Sequence, residues 1–399
     1  LDAYEDWRLP AGERAEDLAA QMTIEQIAGL MLYSGHQSIP GGGFRGRNTY
    51  DGKAFDESGA KASDLSDQQI DFLTNDNLRH VLITRVESPE VAAVWNNNAQ
   101  ALVEGLGLGI PANNSSDPRH QARSDEEFIL GGGGDISRWP GSIGLAASFD
   151  PDLVKQFGTI ASIEYRALGI ATALSPQVDL ATDPRWYRFS GTFGPGPELS
   201  TDMGRAYVSG FQTSSGDKEI SNGWGYQSVN AMAKHWPGGG TGEGGRDAHY
   251  GFGKFAVYPG QNLETHLKPF LEGACNLDGG TKMASAIMPY YTISYNQDPA
   301  GENVGNAFSH FFITEQLREK YGFEGVVCTD WGVTRDDAGM AAFGRAPWGV
   351  EHLTEADKHY KILMAGGDQF GGNNDSGPVI EAYQMGIEEF GEEFMRARF

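Results

Sequence analysis

The feature that most constrains the fold is an alternation. Short apolar runs recur as AGLML (28–32), HVLIT (80–84), GIPAN (109–113), GIATALS (169–175), NAMAKH (230–235), ASAIMP (284–289), GVVCTD (325–330) and ILMAGG (362–367). Between several of them lie stretches with apolar residues at helical spacing, such as PEVAAVWNNNAQALVEGLG and DPDLVKQFGTIASIEYRALG. Strand then helix, repeated, is the pattern of parallel strands joined by crossover helices. Eight such units fit a (β/α)8 barrel, so the expected fold is α/β and TIM-barrel-like; AGLML, which continues an amphipathic pattern from MTIEQI, and ILMAGG, which can end a helix, stay open to a helical reading. The barrel is expected over residues 1–375, with a terminal helix over 376–399 whose apolar positions include Val379, Tyr383, Ile387 and Phe394.

In a barrel of this kind the strand interiors pack, and the side chains at the carboxyl ends of the strands do the chemistry. Polar residues follow the apolar runs repeatedly. Asp117 comes after GIPANNSS, Asp179 and Arg185 after IATALSPQV, Lys234 and His235 end NAMAKH, Tyr290 and Tyr291 follow ASAIMP, and Asp330 ends GVVCTD. Each alone reads equally well as a solvated loop residue. In register they point to one site.

Composition narrows what that site can meet. With 30 basic and 54 acidic residues the formal net charge is −24, which repels nucleic acid and the anionic face of a membrane. Neutral polar ligands such as sugars fit better. The two cysteines, Cys275 and Cys328, have no ligand-like spacing, so neither a metal site nor a disulfide framework is expected. No apolar run reaches the length of a membrane span. The start at Leu1, together with the acidic composition, leans towards a processed periplasmic or secreted protein. The glycine run GGGGD (131–135) lacks the Lys-Ser/Thr of a phosphate-binding loop.

Lys234 and His235 sit in AKHWPGGG, where proline and glycines turn the chain after an apolar run. Two adjacent donors there can clamp hydroxyl groups. A salt-bridged structural pair and a Schiff-base lysine, as in barrel aldolases, are the alternatives.

Four motifs in chain order carry a resemblance: SSDPRHQAR (115–123), DPRWYRFSGTFGPGPEL (183–199), AKHWPGGG with EGGRD (233–247), and VCTDWG (327–332). With them the sequence resembles glycoside hydrolase family 3, in particular its bacterial β-glucosidases and β-glucan exohydrolases. The resemblance implies a retaining, exo-acting β-glucosidase that needs no cofactor and takes an oligosaccharide or aryl β-glucoside. It makes Asp330 the nucleophile and Trp331 an apolar wall beside the sugar. Asp117, Arg123, Arg188, Lys234, His235, Arg246, Met288 and Tyr291 become substrate-binding residues, while Arg185 braces its loop. The first motif reads Asp-Pro-Arg where the family has Asp-Gly-Pro, which bears on the match of Arg123. β-Xylosidase and β-N-acetylglucosaminidase are alternatives within the family, and a non-catalytic sugar-binding barrel lies outside enzymology.

Physical reasoning agrees with these roles. Glycoside hydrolysis passes through an oxocarbenium-like transition state, so a carboxylate beneath the anomeric carbon can both attack and stabilise charge. Arginine, lysine and histidine around it make charge-assisted hydrogen bonds that select hydroxyl stereochemistry. A retaining enzyme also needs an acid/base placed roughly 5 to 5.5 Å from the nucleophile. In most of the family a second α/β sandwich domain supplies it, and such a domain is expected to be missing here, so that a further domain or partner fragment completes the site. A smaller branch uses an Asp-x-His dyad, spelled here Asp247-Ala248-His249. Homodimerisation stays open.

Overall fold

The computed structural model describes residues 2–38, 48–85, 87–121, 135–335 and 347–399. Arg123 and the glycine runs at 41–43 and 131–134 lie outside them. The centre is a seven-stranded parallel sheet. Its strands are β1 (Tyr33–Ser38), β2 (His80–Arg85), β3 (Asn113–Ser116), β4 (Thr172–Ala173), β5 (Asn230–Trp236), β6 (Ala286–Pro289) and β7 (Val326–Val327), in chain order across the sheet. The sheet curls until both edges reach one short segment: Leu32, just before β1, bridges Phe370, and Cys328, just after β7, bridges Gln369. An eighth position therefore exists, filled by two bridging residues instead of a strand.

Alternation along the strands sorts the core into two layers. Tyr33, Leu82, Leu174, Met232, Met288 and Cys328 meet inside the curl, with Trp331 at their edge. Ala173, Ala231, Ala233, Ile287 and Val327 point outward, where they join the apolar faces of the covering helices. The longest helices follow their strands with clear start signals. Ser88 caps Pro89–Glu104 and Asp150 caps Pro151–Ala167, each accepting a backbone N–H of the first turn ahead of a proline at the first helical position.

Four expectations are corrected. AGLML is the end of a helix, Ile24–Met31, started by a capping box between Thr23 and Gln26. ILMAGG likewise ends the helix Glu355–Ala365, which Gly366 stops at φ 105°. Both strand positions lie a few residues downstream, at Tyr33 and at Gln369–Phe370. The strand expected at 109–113 sits instead at NNSS, a polar sequence whose side-chain donors bond sideways: Ser115 donates to the Val81 carbonyl and Asn114 to Asn96 and Gly169. The tail is two helices, Gly377–Phe390 and Glu392–Arg398, broken at Gly391 with φ 88°. Cys275 and Cys328 are both free thiols. Among the described residues no helix is long and apolar enough to cross a membrane.

Candidate active site

The carboxyl ends of the strands converge on one buried polar cluster. Asp330 follows β7 and is 8% exposed. One carboxylate oxygen, Oδ1, accepts the Trp331 N–H at 2.7 Å. The other, Oδ2, is buried and has no hydrogen-bond partner among the described residues. It lies 3.9 Å from His235 Nε2. An unsatisfied carboxylate oxygen in a protein interior is costly unless a ligand or reaction uses it. The loop holding it is tied to the closing segment, since Thr329 donates its N–H to Gln369 and accepts the Gly371 N–H on its hydroxyl. Gly371 must be a glycine, because a Cβ there would collide with the Trp331 ring and the Thr329 carbonyl.

β5 delivers Lys234 and His235, joined by a cis peptide bond. Lys234 Nζ meets Asp117 Oδ1 at 3.0 Å, both side chains nearly buried. His235 turns the other way and donates Nδ1–H to Asp179 at 2.8 Å. Asp179, fully buried, also accepts the backbone N–H groups of His235 and Gly239. Burial would raise its pKa, but these three donors hold it below the ordinary carboxylate value. Burial and then the charge of Arg188 push His235 down to about 4. Its imidazole is therefore neutral at pH 7, and with Nδ1 protonated the Nε2 lone pair faces Asp330 as an acceptor.

The Arg188 side chain is nearly buried, with its guanidinium over the Tyr290 ring, 5.7 Å from the centroid. Burial disfavours its charge, but Tyr290, Asp247 and Asp330 around it hold its pKa above the usual arginine value. Asp247 is the most heavily engaged group of the cluster. Its Oδ2 accepts the Trp186 indole N–H and the Tyr290 hydroxyl, each at 2.6 Å, while Oδ1 accepts His249 Nδ1 at 2.5 Å and its backbone N–H at 2.9 Å. Against burial, His249, Arg188 and Tyr290 together bring Asp247 well below the usual carboxylate range.

Met288 lies on the inner wall, opposite Lys234 in the β5–β6 register. Tyr291 is buried beside Asp330; burial first, then that carboxylate, raise its phenol well above the usual value, and its hydroxyl donates to the Trp331 carbonyl at 2.7 Å. Trp331 packs on Tyr33 with ring centroids 5.2 Å apart, and its indole N–H has no partner among the described residues. The cluster thus brings together Asp117, Arg188, Lys234, His235, Asp247, His249, Met288, Tyr291, Asp330 and Trp331. Arg246 is not drawn in. It is exposed, and no hydrogen bond or ion pair joins it to the cluster among the described residues. Arg185 forms a two-pronged pair with Asp183 at 3.0 and 2.6 Å on the surface, which braces the loop.

Sequence reasoning passed over three supporting residues. Asp179 and Tyr290 stood at strand ends but carried no role; a histidine whose Nδ1 needs an acceptor was the signal for the first. Arg119 is 1% exposed and donates to the carbonyls of Ile83 and Thr84, fastening the Asp117 loop to β2. No pattern announces an arginine spent on backbone carbonyls.

The buried histidines give an acid-stability prediction. His80, His235 and His266 are each pushed down to about 4, mainly by burial. Unfolding returns them to about 6.5, so between pH 6.5 and 4 the unfolded chain binds more protons and stability falls as pH falls, by up to about 3 kcal/mol for each. The thermal midpoint should drop across that window, and H266F should flatten the slope. A midpoint that stays level from pH 6.5 to 4 would contradict it.

A curled parallel sheet with carboxylates, cations and aromatic walls at its strand ends holds the groups that glycoside hydrolysis requires. Residues 57–368 match the model of the "Glycosyl hydrolase family 3 N terminal domain", and the chain belongs to that family. It is 41% identical to a periplasmic beta-glucosidase/beta-xylosidase of Dickeya chrysanthemi over 97% of this chain and 57% of the relative. It is 40% identical to a probable beta-glucosidase C of Aspergillus oryzae, over 96% of this chain and 56% of the relative. The chain thus spans little more than half the length of these relatives. Among solved structures, a β-glucosidase of Erythrobacter marinus superposes with a TM-score of 0.67 at 24% identity, covering all of this chain and 45% of that one. A β-N-acetylhexosaminidase of Beutenbergia cavernae superposes with a TM-score of 0.64 at 18% identity, covering 95% of this chain and 96% of that one. Both likenesses concern the fold.

Proposed function

We propose that this chain carries the glycone site and nucleophile of a retaining, exo-acting β-glucosidase built on a (β/α)8 barrel over residues 1–375. The observation that carries the reading is the buried, unpartnered Oδ2 of Asp330, beside neutral His235 and cationic Arg188. Oδ2 attacks the anomeric carbon as the bond to the leaving oxygen breaks, and an acid gives that oxygen its proton. The resulting ester between Asp330 and the sugar is then cut by water, which yields its proton to the same acid/base. Lys234 donates to a sugar hydroxyl, while Asp117 and His235 Nε2 accept from hydroxyls. Trp331 faces the C–H side of the ring. Arg123 and Arg246 stay proposals as sugar ligands from the resemblance alone.

The acid/base is proposed to come from the remainder of a longer protein, since the chain spans little more than half the length of its relatives, or from a partner fragment. The identity to relatives named beta-glucosidase and beta-xylosidase supports glucose as the glycone, with xylose as the alternative. The N-acetylglucosamine alternative would go with the dyad described next. Export to the periplasm or outside the cell, as in the Dickeya relative's name, completes the reading.

The test is covalent trapping. Incubation with 2,4-dinitrophenyl 2-deoxy-2-fluoro-β-glucoside, whose leaving group needs no acid, should add one fluoroglucosyl unit to a peptide containing Asp330, read by mass spectrometry. Labelling at another carboxylate, or none while binding persists, would leave a sugar-binding barrel as the better account. A Schiff-base role for Lys234 is disfavoured by its ion pair with Asp117, which makes it a donor.

A second reading has its own observation. His249 Nδ1 stands 2.5 Å from Asp247 Oδ1, the contact an Asp-His acid/base dyad requires.

A further inference from the structure

At the opposite end of the sheet from Asp330, a cavity of about 100 Å³ lies beside the amino ends of β1, β2 and β3. Its walls come from the helix Ile24–Met31 ahead of β1, the turn ahead of β2 and the loop ahead of β3. The turn is firmly placed. Leu78 donates its N–H to the Phe72 carbonyl, Asn77 holds φ 53°, and a Cβ on Gly29 would collide with the carbonyls of Asp76 and Asn77. Into this space comes Arg79, only 5% exposed. Its Nε donates to the Ile110 carbonyl at 2.9 Å, and its Nη1 to the carbonyls of Leu73 and Leu78, each at 2.8 Å. Nη2 has no partner among the described residues.

Carbonyls satisfy donors, but they carry partial charges and do not cancel a cation. The other deeply buried arginines each feel a full negative charge: Arg119 that of Asp117, and Arg188 those of Asp247 and Asp330. Arg79 differs. Burial presses its pKa below the usual arginine value, and no carboxylate among the described residues acts to raise it. A buried cation calls for a counter-ion. The cavity offers the rest of a site, with Thr74 and Asn77 as further donors, and Leu30, Leu106 and Leu108 as an apolar wall. Its rim is open, because Thr74 and Gly107 are exposed. The space takes a few water-sized groups, so the ligand is compact. We infer that this cavity binds a small monocarboxylate with a short alkyl chain, the carboxylate on Arg79 and the alkyl group on the leucines. The site is separate from the glycosidase reading and stands without it. Its wall is joined to the segment that closes the sheet, since the Leu30 carbonyl accepts Gln369 Nε2 at 3.1 Å.

Thermal unfolding of the full-length protein tests this, with propionate as the probe replacing chloride at constant ionic strength. A ligand that binds only the folded chain stabilises it in proportion to the logarithm of its concentration, so the midpoint should rise by about 2 °C at about tenfold excess over the dissociation constant. R79M should lose the rise. T74E brings a carboxylate to the rim from an exposed position and leaves the hydrogen bonds of Arg79 in place, so it should lose the rise too. That variant carries the test alone if R79M does not fold. A level midpoint in the wild type, or a rise that persists in either folded variant, overturns the inference. An equal rise with sulfate also overturns it, because salts excluded from protein surfaces stabilise without any site.

Discussion

Replacing Asp330 by asparagine should lower turnover of an aryl β-glucoside by about four orders of magnitude, the scale seen when a covalent nucleophile is removed from a preorganised site. The fold should survive. The asparagine oxygen can still accept the Trp331 N–H, and Oδ2 has no partner among the described residues to lose. D330A separates chemistry from architecture more sharply, because it opens a space where the carboxylate lay. Added azide should enter that space and give the α-glucosyl azide, the inverted product of a single displacement. Retained activity in D330N, or a D330A protein that azide does not rescue despite a native melting temperature, would dismiss Asp330 as nucleophile.

The second large effect is expected at Asp247, and it is one of stability. D247A removes an acceptor that satisfies Trp186, Tyr290 and both N–H groups of His249, and it leaves the buried Arg188 cation with Asp330 as its remaining neighbouring carboxylate. Breaking a buried charge pair by deleting one partner costs about 3–5 kcal/mol, so the denaturant midpoint should fall well below that of the wild type. H249A should cost far less, since the other donors to Asp247 remain. The pair of variants also decides between the two sources of the acid. If the Asp-His dyad protonates the leaving group, H249A will lose hydrolysis of a natural disaccharide but keep that of a dinitrophenyl glucoside. If the acid comes from elsewhere in a longer protein, H249A will retain both.

How much of this was legible follows from where each residue draws its constraints. The parallel sheet showed through because buried strands such as HVLIT and NAMA read as continuous apolar runs. NNSS did not, because β3 donates its polar side-chain hydrogens to neighbours distant in sequence, Val81, Asn96 and Gly169. AGLML and ILMAGG stayed open between strand and helix because an apolar run ending a helix looks like a strand until its cap is weighed. Thr23 with Gln26, and Gly366, were the signals that should have decided. In the site, Asp330, Lys234 and His235 could be singled out from position and motif together. Arg246 could not be placed, since adjacency to Asp247 does not fix which way a long side chain turns. Asp179 and Arg119 act through other residues, and such roles exist only once the chain has folded.

The junction at Gln369 and Phe370 has a further meaning for this molecule. The curl is closed there by single-residue bridges in place of a strand, and the same stitches at Thr329 and Gly371 anchor the turn that presents Asp330. Architecture and reactivity thus share one clasp. Loosening it would shift the Asp330 carboxylate before the rest of the sheet gave way, so whatever that carboxylate does would be lost while the protein still looked folded.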